Sequence, residues 1–158
     1  METIACFSGT LPQGYQGSIT YRVYLGSLQK LHLVLSCNHE HPSDPSVLLD
    51  GKRDQLSSML AGYLGHVPSE EELLNAVSHM KTEIQFSLHL DGVFAGNVHM
   101  PGTKKEMLYE PGRASRGCLI QNHLGENAAI TIHVFSVAEE DTEYHLLIEG
   151  EKTDVEKN

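Results

Sequence analysis

The sequence predicts a mainly β protein, an antiparallel β-sandwich of jelly-roll-like build with a short helical pair inserted into it. Three observations carry this reading. Apolar residues alternate with polar ones at period two through both ends of the chain. Turn dipeptides separate the alternating runs. Between Leu35 and Ile84 the period changes from that of a strand to that of a helix.

The elements follow in chain order. Ile19, Tyr21, Val23 and Leu25 alternate with Thr20, Arg22 and Tyr24, and Leu31, Leu33 and Leu35 alternate with His32 and Val34. Leu56, Met59, Leu60, Tyr63 and Leu64 then recur at helical spacing, with Gly65 where a C-cap would stand. Ser69 and Glu72 form a capping box after Pro68, and Leu73, Leu74, Ala76, Val77 and Met80 share one helical face. This helical insertion, about 52–80, is expected to pack its apolar stripes on the sheet.

Strand period returns with Ile84, Phe86, Leu88 and Leu90, and Asp91-Gly92 marks a type I′ hairpin before Val93. Ile130, Ile132 and Val134 form a later strand, and Tyr144, Leu146 and Ile148 the last. Weaker strands are expected at 4–10, 93–99, 105–109 and 118–122. Strands with one apolar face each are those of an antiparallel sandwich.

The 158 residues fit one domain over 1–150, followed by an acidic flexible tail at 151–158. Of the net charge of −10, the last twenty residues hold −6, so the body is only mildly acidic. Net acidity argues against a nucleic-acid partner that works by broad phosphate neutralisation. The apolar runs are too short for a membrane span. The N-terminus lacks the basic and apolar regions of a signal peptide. Cys6, Cys37 and Cys118 are odd in number and show no CxxC spacing, which suits reduced thiols and a cytoplasmic location.

Three groups of residues are candidates for chemistry. Lys104, Lys105, Arg113 and Arg116 place four of the eleven basic residues within thirteen positions of an acidic chain. The stretch Pro111-Gly112-Arg113-Ala114-Ser115-Arg116-Gly117 reads as a loop whose amides and arginines could hold an anion. His39 and His41 stand two apart at the end of a strand, which puts both imidazoles on one side, where they could bind a divalent metal such as zinc. His32, His89, His133 and His145 each fall opposite the apolar face of their own strand. If those strands share a sheet, the four could converge on a metal. The ten histidines also make a charge buffer, so solubility is expected to fall between about pH 7 and 5.5.

The order of elements, with Tyr21–Leu25, Leu31–Ser36, Thr82–Asp91, Val93–His99, the loop Arg113 to Leu119 and the strands Ile130–Val137 and Tyr144–Ile148, resembles a known sandwich. This is the N-terminal β-sandwich accessory domain of bacterial metallohydrolases of the polymerase-and-histidinol-phosphatase type, similar in build to pre-peptidase C-terminal domains. Arg116-Gly117-Cys118 stands where such domains often have a Pro-Gly-Tyr step. The resemblance implies an accessory module without the catalytic domain and with no catalytic residue to carry over.

The expected function is therefore a non-catalytic binding module without a cofactor. It would contact an anionic small molecule or a protein partner through the basic 104–116 loop. The alternative is a small metal-dependent hydrolase built on one of the histidine sets. Self-association through exposed sheet edges is a third expectation.

Overall fold

In a computed structural model, which describes residues 1–153, nine strands and two helices follow the chain. The strands are β1 (Glu2–Leu11), β2 (Gly17–Tyr24), β3 (Leu28–Cys37), β4 (Glu83–Leu90), β5 (Val93–Val98), β6 (Lys104–Glu110), β7 (Arg113–Ala114), β8 (Asn127–Ser136) and β9 (Thr142–Lys152). They form two antiparallel sheets, in the order β1-β9-β3-β6-β7 and β2-β8-β4-β5. Leaving out the two-residue β7, this is the strand order of a jelly roll.

The alternation read in the sequence is the alternation of burial. Leu31, Leu33, Leu146 and Ile148 from the first sheet are fully buried against Phe86, Leu88, Ile130 and Ile132 from the second. Each strand thus removes one apolar row from water, and the two rows interdigitate to make the core. The Asp91-Gly92 turn has φ of 47° and 81°, as a type I′ hairpin requires. Asp91 fixes it by accepting from the backbone N–H groups of Glu126 and Asn127.

The two flanks of the sandwich differ. On one, the chain after β7 ties both sheets together. Ser115 N–H donates to the Leu108 carbonyl of β6, while Asn97 and Leu119 exchange backbone bonds with Gly117 and Ala95 beside β5. The strand expected at 118–122 is reduced to a single bridge between Cys118 and Gly96. On the other flank β1 and β2 are both sheet edges, joined across the core by the stacked rings of Phe7 and Tyr21, while the Tyr21 hydroxyl pairs with that of Tyr144 on β9 at 2.6 Å.

The helical pair differs from expectation in two ways. Helix α1 (Pro45–Leu64) begins several residues before the expected boundary, because Asp44 caps it and Pro45 occupies its first turn. Helix α2 (Glu70–Ser78) starts at the capping box, with both reciprocal bonds of Ser69 and Glu72 formed. The pair also does not contribute its stripe to the sandwich core. Leu49, Leu73 and Val77 form a cluster of their own between the helices, joined by Leu56 and Leu60. The last strand runs through Lys152, so Glu151, expected in a flexible tail, is a strand residue that accepts from Gln29 at 2.7 Å. The rest of that expected tail, 154–158, lies outside the described residues.

No helix among the described residues is long and apolar enough to cross a membrane.

Candidate anion-binding cleft

Three connections meet at one end of the sandwich: the chain leaving β3 (residues 37–41), the approach to β4 (80–82) and the β5–β6 turn (99–103). Backbone bonds lock them together. Thr82 N–H donates to the Glu40 carbonyl at 2.7 Å, and Cys37 N–H donates to the Thr103 carbonyl at 2.8 Å. The Pro101-Gly102 turn needs glycine, since Gly102 has φ 98°. Its N–H is held by the Glu40 carboxylate at 3.0 Å. That bond, more than the nearby Lys81 ammonium, keeps the Glu40 carboxyl below the usual carboxylate range.

Between these connections lies a cleft of about 310 Å³ whose walls include Glu40, Lys81, Glu83, His99, Met100 and Lys105. Lys81 stands 3.6 Å from Glu40 and 3.7 Å from Glu83, so its charge is balanced. Lys105 is different. It is the second residue of β6, and strand alternation turns it inward while its neighbour Lys104 turns out. It is only 7% exposed. Among the described residues its sole hydrogen-bond acceptor is the Gly102 carbonyl, at 2.9 Å, and no carboxylate lies within ion-pair distance. Burial lowers the Lys105 pKa from the usual lysine value, partly opposed by Cys37 and Glu40. The same burial raises the Cys37 thiol. An ammonium has three donors, and two of these are unmatched inside the fold.

A second cleft, of about 270 Å³, lies on the far side of the 99–101 turn, where Arg116 and Asn97 join the same His99, Met100 and Pro101. The Arg116 guanidinium is exposed and has no ion pair or hydrogen bond among the described residues. Lys105 and Arg116 thus flank one turn.

The other two basic residues of the expected loop do not join them. Lys104 is paired with Glu106 on the outer side of β6. Arg113 lies opposite Glu110 at the other end of that strand, five residues from Lys105 and so about 17 Å away at about 3.3 Å per residue. Some of the loop amides expected to cradle an anion are also occupied, because residues 113 and 114 form a strand. Gly112 N–H donates to Gln121, Ser115 N–H to Leu108 and Cys118 N–H to Ser115.

The histidine sets separate as well. His32 and His145 stand on the first sheet and His89 and His133 on the second, so the four face opposite sides of the sandwich. His32 instead meets the carboxylates of Glu149 and Glu106, at 3.2 and 3.7 Å. His41 is turned to the Met80 carbonyl through Nδ1 at 2.9 Å, while His39 is exposed. Among the described residues no three His, Cys, Asp or Glu side chains are grouped so as to hold a metal ion.

Lys81, Glu40 and His99 were not singled out by sequence. No spacing relates them, and only the meeting of three distant connections does. The one available signal was Lys105 itself, as the inward member of a Lys-Lys step entering a strand.

No curated protein matches the chain in sequence. A crystal structure from Sulfurospirillum deleyianum is similar at 14% identity over 92% of this chain and 98% of its own, with a TM-score of 0.34. Residues 1–154 match the model of a family of unknown function, DUF6669, and the protein belongs to that family.

Proposed function

We propose that this protein is a non-catalytic binding module that takes an anionic group, carried by a small molecule or a protein partner, at the cleft around Lys105. One observation supports this above the others. A lysine only 7% exposed, whose ammonium has a single backbone acceptor, is costly unless something else completes its hydrogen bonds. A carboxylate or phosphate oxygen in the cleft would do so, and Arg116 across the turn adds a second cation. Charge-assisted bonds of this kind, made away from bulk water, are stronger than neutral ones. The module reading agrees with the accessory-sandwich resemblance, in which the sandwich binds and a separate domain carries out chemistry.

Calorimetric titration with pyrophosphate and with citrate tests the proposal. Saturable binding by at least one is expected, weakened about tenfold or more in Lys105→Met and less in Arg116→Glu. Lys104→Glu and Arg113→Glu should leave it within about twofold. Absence of saturable binding by either anion, or equal binding in Lys105→Met, would refute it.

A further inference from the structure

The outer faces of the two sheets differ in chemistry. That of the first sheet is charged, with Lys30 against Glu110 at 2.6 Å, Lys104 against Glu106, and His32 against Glu149. In the four strands of the second sheet, β2-β8-β4-β5, the formally charged residues are only Arg22 and Glu83. Its outer face instead carries hydroxyl, amide and imidazole groups in cross-strand rows. One row pairs Thr20 with Thr131, Thr131 with Ser87 and Ser87 with Asn97. The next pairs Ser18 with His133 and His133 with Gln85.

These groups are held in place by one another. Thr20 and Thr131 share a hydroxyl bond of 2.9 Å. His133 bonds the Ser18 hydroxyl through Nδ1 at 3.2 Å and the Ser87 hydroxyl through Nε2 at 3.0 Å. The Asn97 carboxamide oxygen is buried and has no partner among the described residues, and Ser87 is buried as well, so the exposed members of these rows are Ser18 and Thr20 with the half-buried Gln85, Thr131 and His133. Three rings stand out from the same face: Tyr24 (67% exposed), Phe94 (46%) and Phe135 (45%). Tyr24 is opposite Asn127, eight residues from Phe135 along β8, which spans about 26 Å at about 3.3 Å per residue.

We propose that this face is a binding site for a neutral oligosaccharide. A sugar ring offers an apolar C–H face to an aromatic ring and hydroxyls to polar groups around its edge, and this sheet presents both. A flat array of fixed donors and acceptors loses little side-chain entropy on binding. Exposed rings on a four-stranded sheet can also stack nucleic-acid bases. That mode needs cations along the phosphate backbone, and this face has one, Arg22, in a chain of net charge −10.

The test is titration of the ¹⁵N-labelled protein with maltohexaose, cellohexaose and chitohexaose, followed by amide shifts. At least one should give saturable shifts at Thr20, Asn97 and Thr131. Phe94→Ala and Tyr24→Ala should each weaken it about fivefold to tenfold with the melting temperature unchanged. Thr131→Lys, which leaves the rings in place, should abolish it, and Lys105→Met should not affect it. No saturable binding by any of the three, shifts confined to other surfaces, or full binding in Phe94→Ala with Tyr24→Ala would overturn the proposal. So would tighter binding of oligo-dT than of any sugar.

Discussion

The Tyr109 hydroxyl donates to the Ala95 carbonyl at 2.9 Å, a buried hydrogen bond that runs through the core from one sheet to the other. Burial pushes the phenol far above its ordinary range, so it stays a donor at every pH at which the protein is handled. Gly96 beside it has no room for a side chain, since a Cβ there would stand 2.6 Å from the same hydroxyl. Tyr109→Phe removes one of the two bonds that the Ala95 carbonyl accepts, leaving that from Leu119 N–H, and is expected to cost about 1 kcal/mol, or roughly 2–4 °C in melting temperature. Thermal and urea unfolding measure this, and an unchanged midpoint would show that the bond does not hold the sheets together.

Gly117 closes the same flank. Its φ of 86° is one that L side chains rarely adopt, and a Cβ would meet the Asn97 carbonyl at 2.6 Å. Gly117→Ala is expected to destabilise by about 2 kcal/mol or more. Amide exchange should rise first at Asn97 and Leu119, whose N–H groups donate to the Gly117 and Ala95 carbonyls.

Lys105 gives a pH dependence with a definite sign. Its pKa is lowered in the fold, so between that value and about 10.5 the unfolded chain binds more protons than the folded one. Stability from this residue therefore rises with pH through that window. At pH 7 the buried cation costs stability, and Lys105→Met is expected to be more stable than the parent by about 1 kcal/mol. The gap should narrow as pH approaches 10.5. A less stable Lys105→Met would show that the ammonium is well satisfied within the fold.

The three thiols should differ in reactivity. Cys6 is exposed on the edge strand β1, whereas burial raises the Cys37 pKa and keeps it protonated. Iodoacetamide at pH 8 should modify Cys6 first, and mass spectrometry should find Cys37 labelled much more slowly. Equal rates would contradict the burial of Cys37.

Much of the fold was legible in the sequence because a strand's side-chain period reports which residues enter the core. Ile130, Ile132 and Val134 needed nothing more, and Ser69 with Glu72 marked a helix start by a purely local bond pattern. Asp44-Pro45 is an equally local signal for the start of α1, but the residues that follow it, Ser46 to Gln55, show no clear apolar stripe at helical spacing. Alternation says which side of its own strand a residue takes, and not which sheet that strand joins. For that reason His32 and His133 shared an outward side yet stand on opposite faces of the molecule. The same rule, applied to two consecutive lysines, separates Lys104 from Lys105. The cleft itself depends on residues 40, 81, 99 and 105, whose meeting is fixed by tertiary contacts alone.

Lys105 is a largely buried lysine whose ammonium keeps donors for the proposed anion. The most direct measurement is a pH titration of its Cε and Nζ resonances by ¹³C and ¹⁵N NMR, with and without pyrophosphate or citrate. The midpoint is expected below that of a free lysine in the protein alone and should move upward when the anion is bound, because the anion favours the charged form. A midpoint that no anion displaces would contradict it.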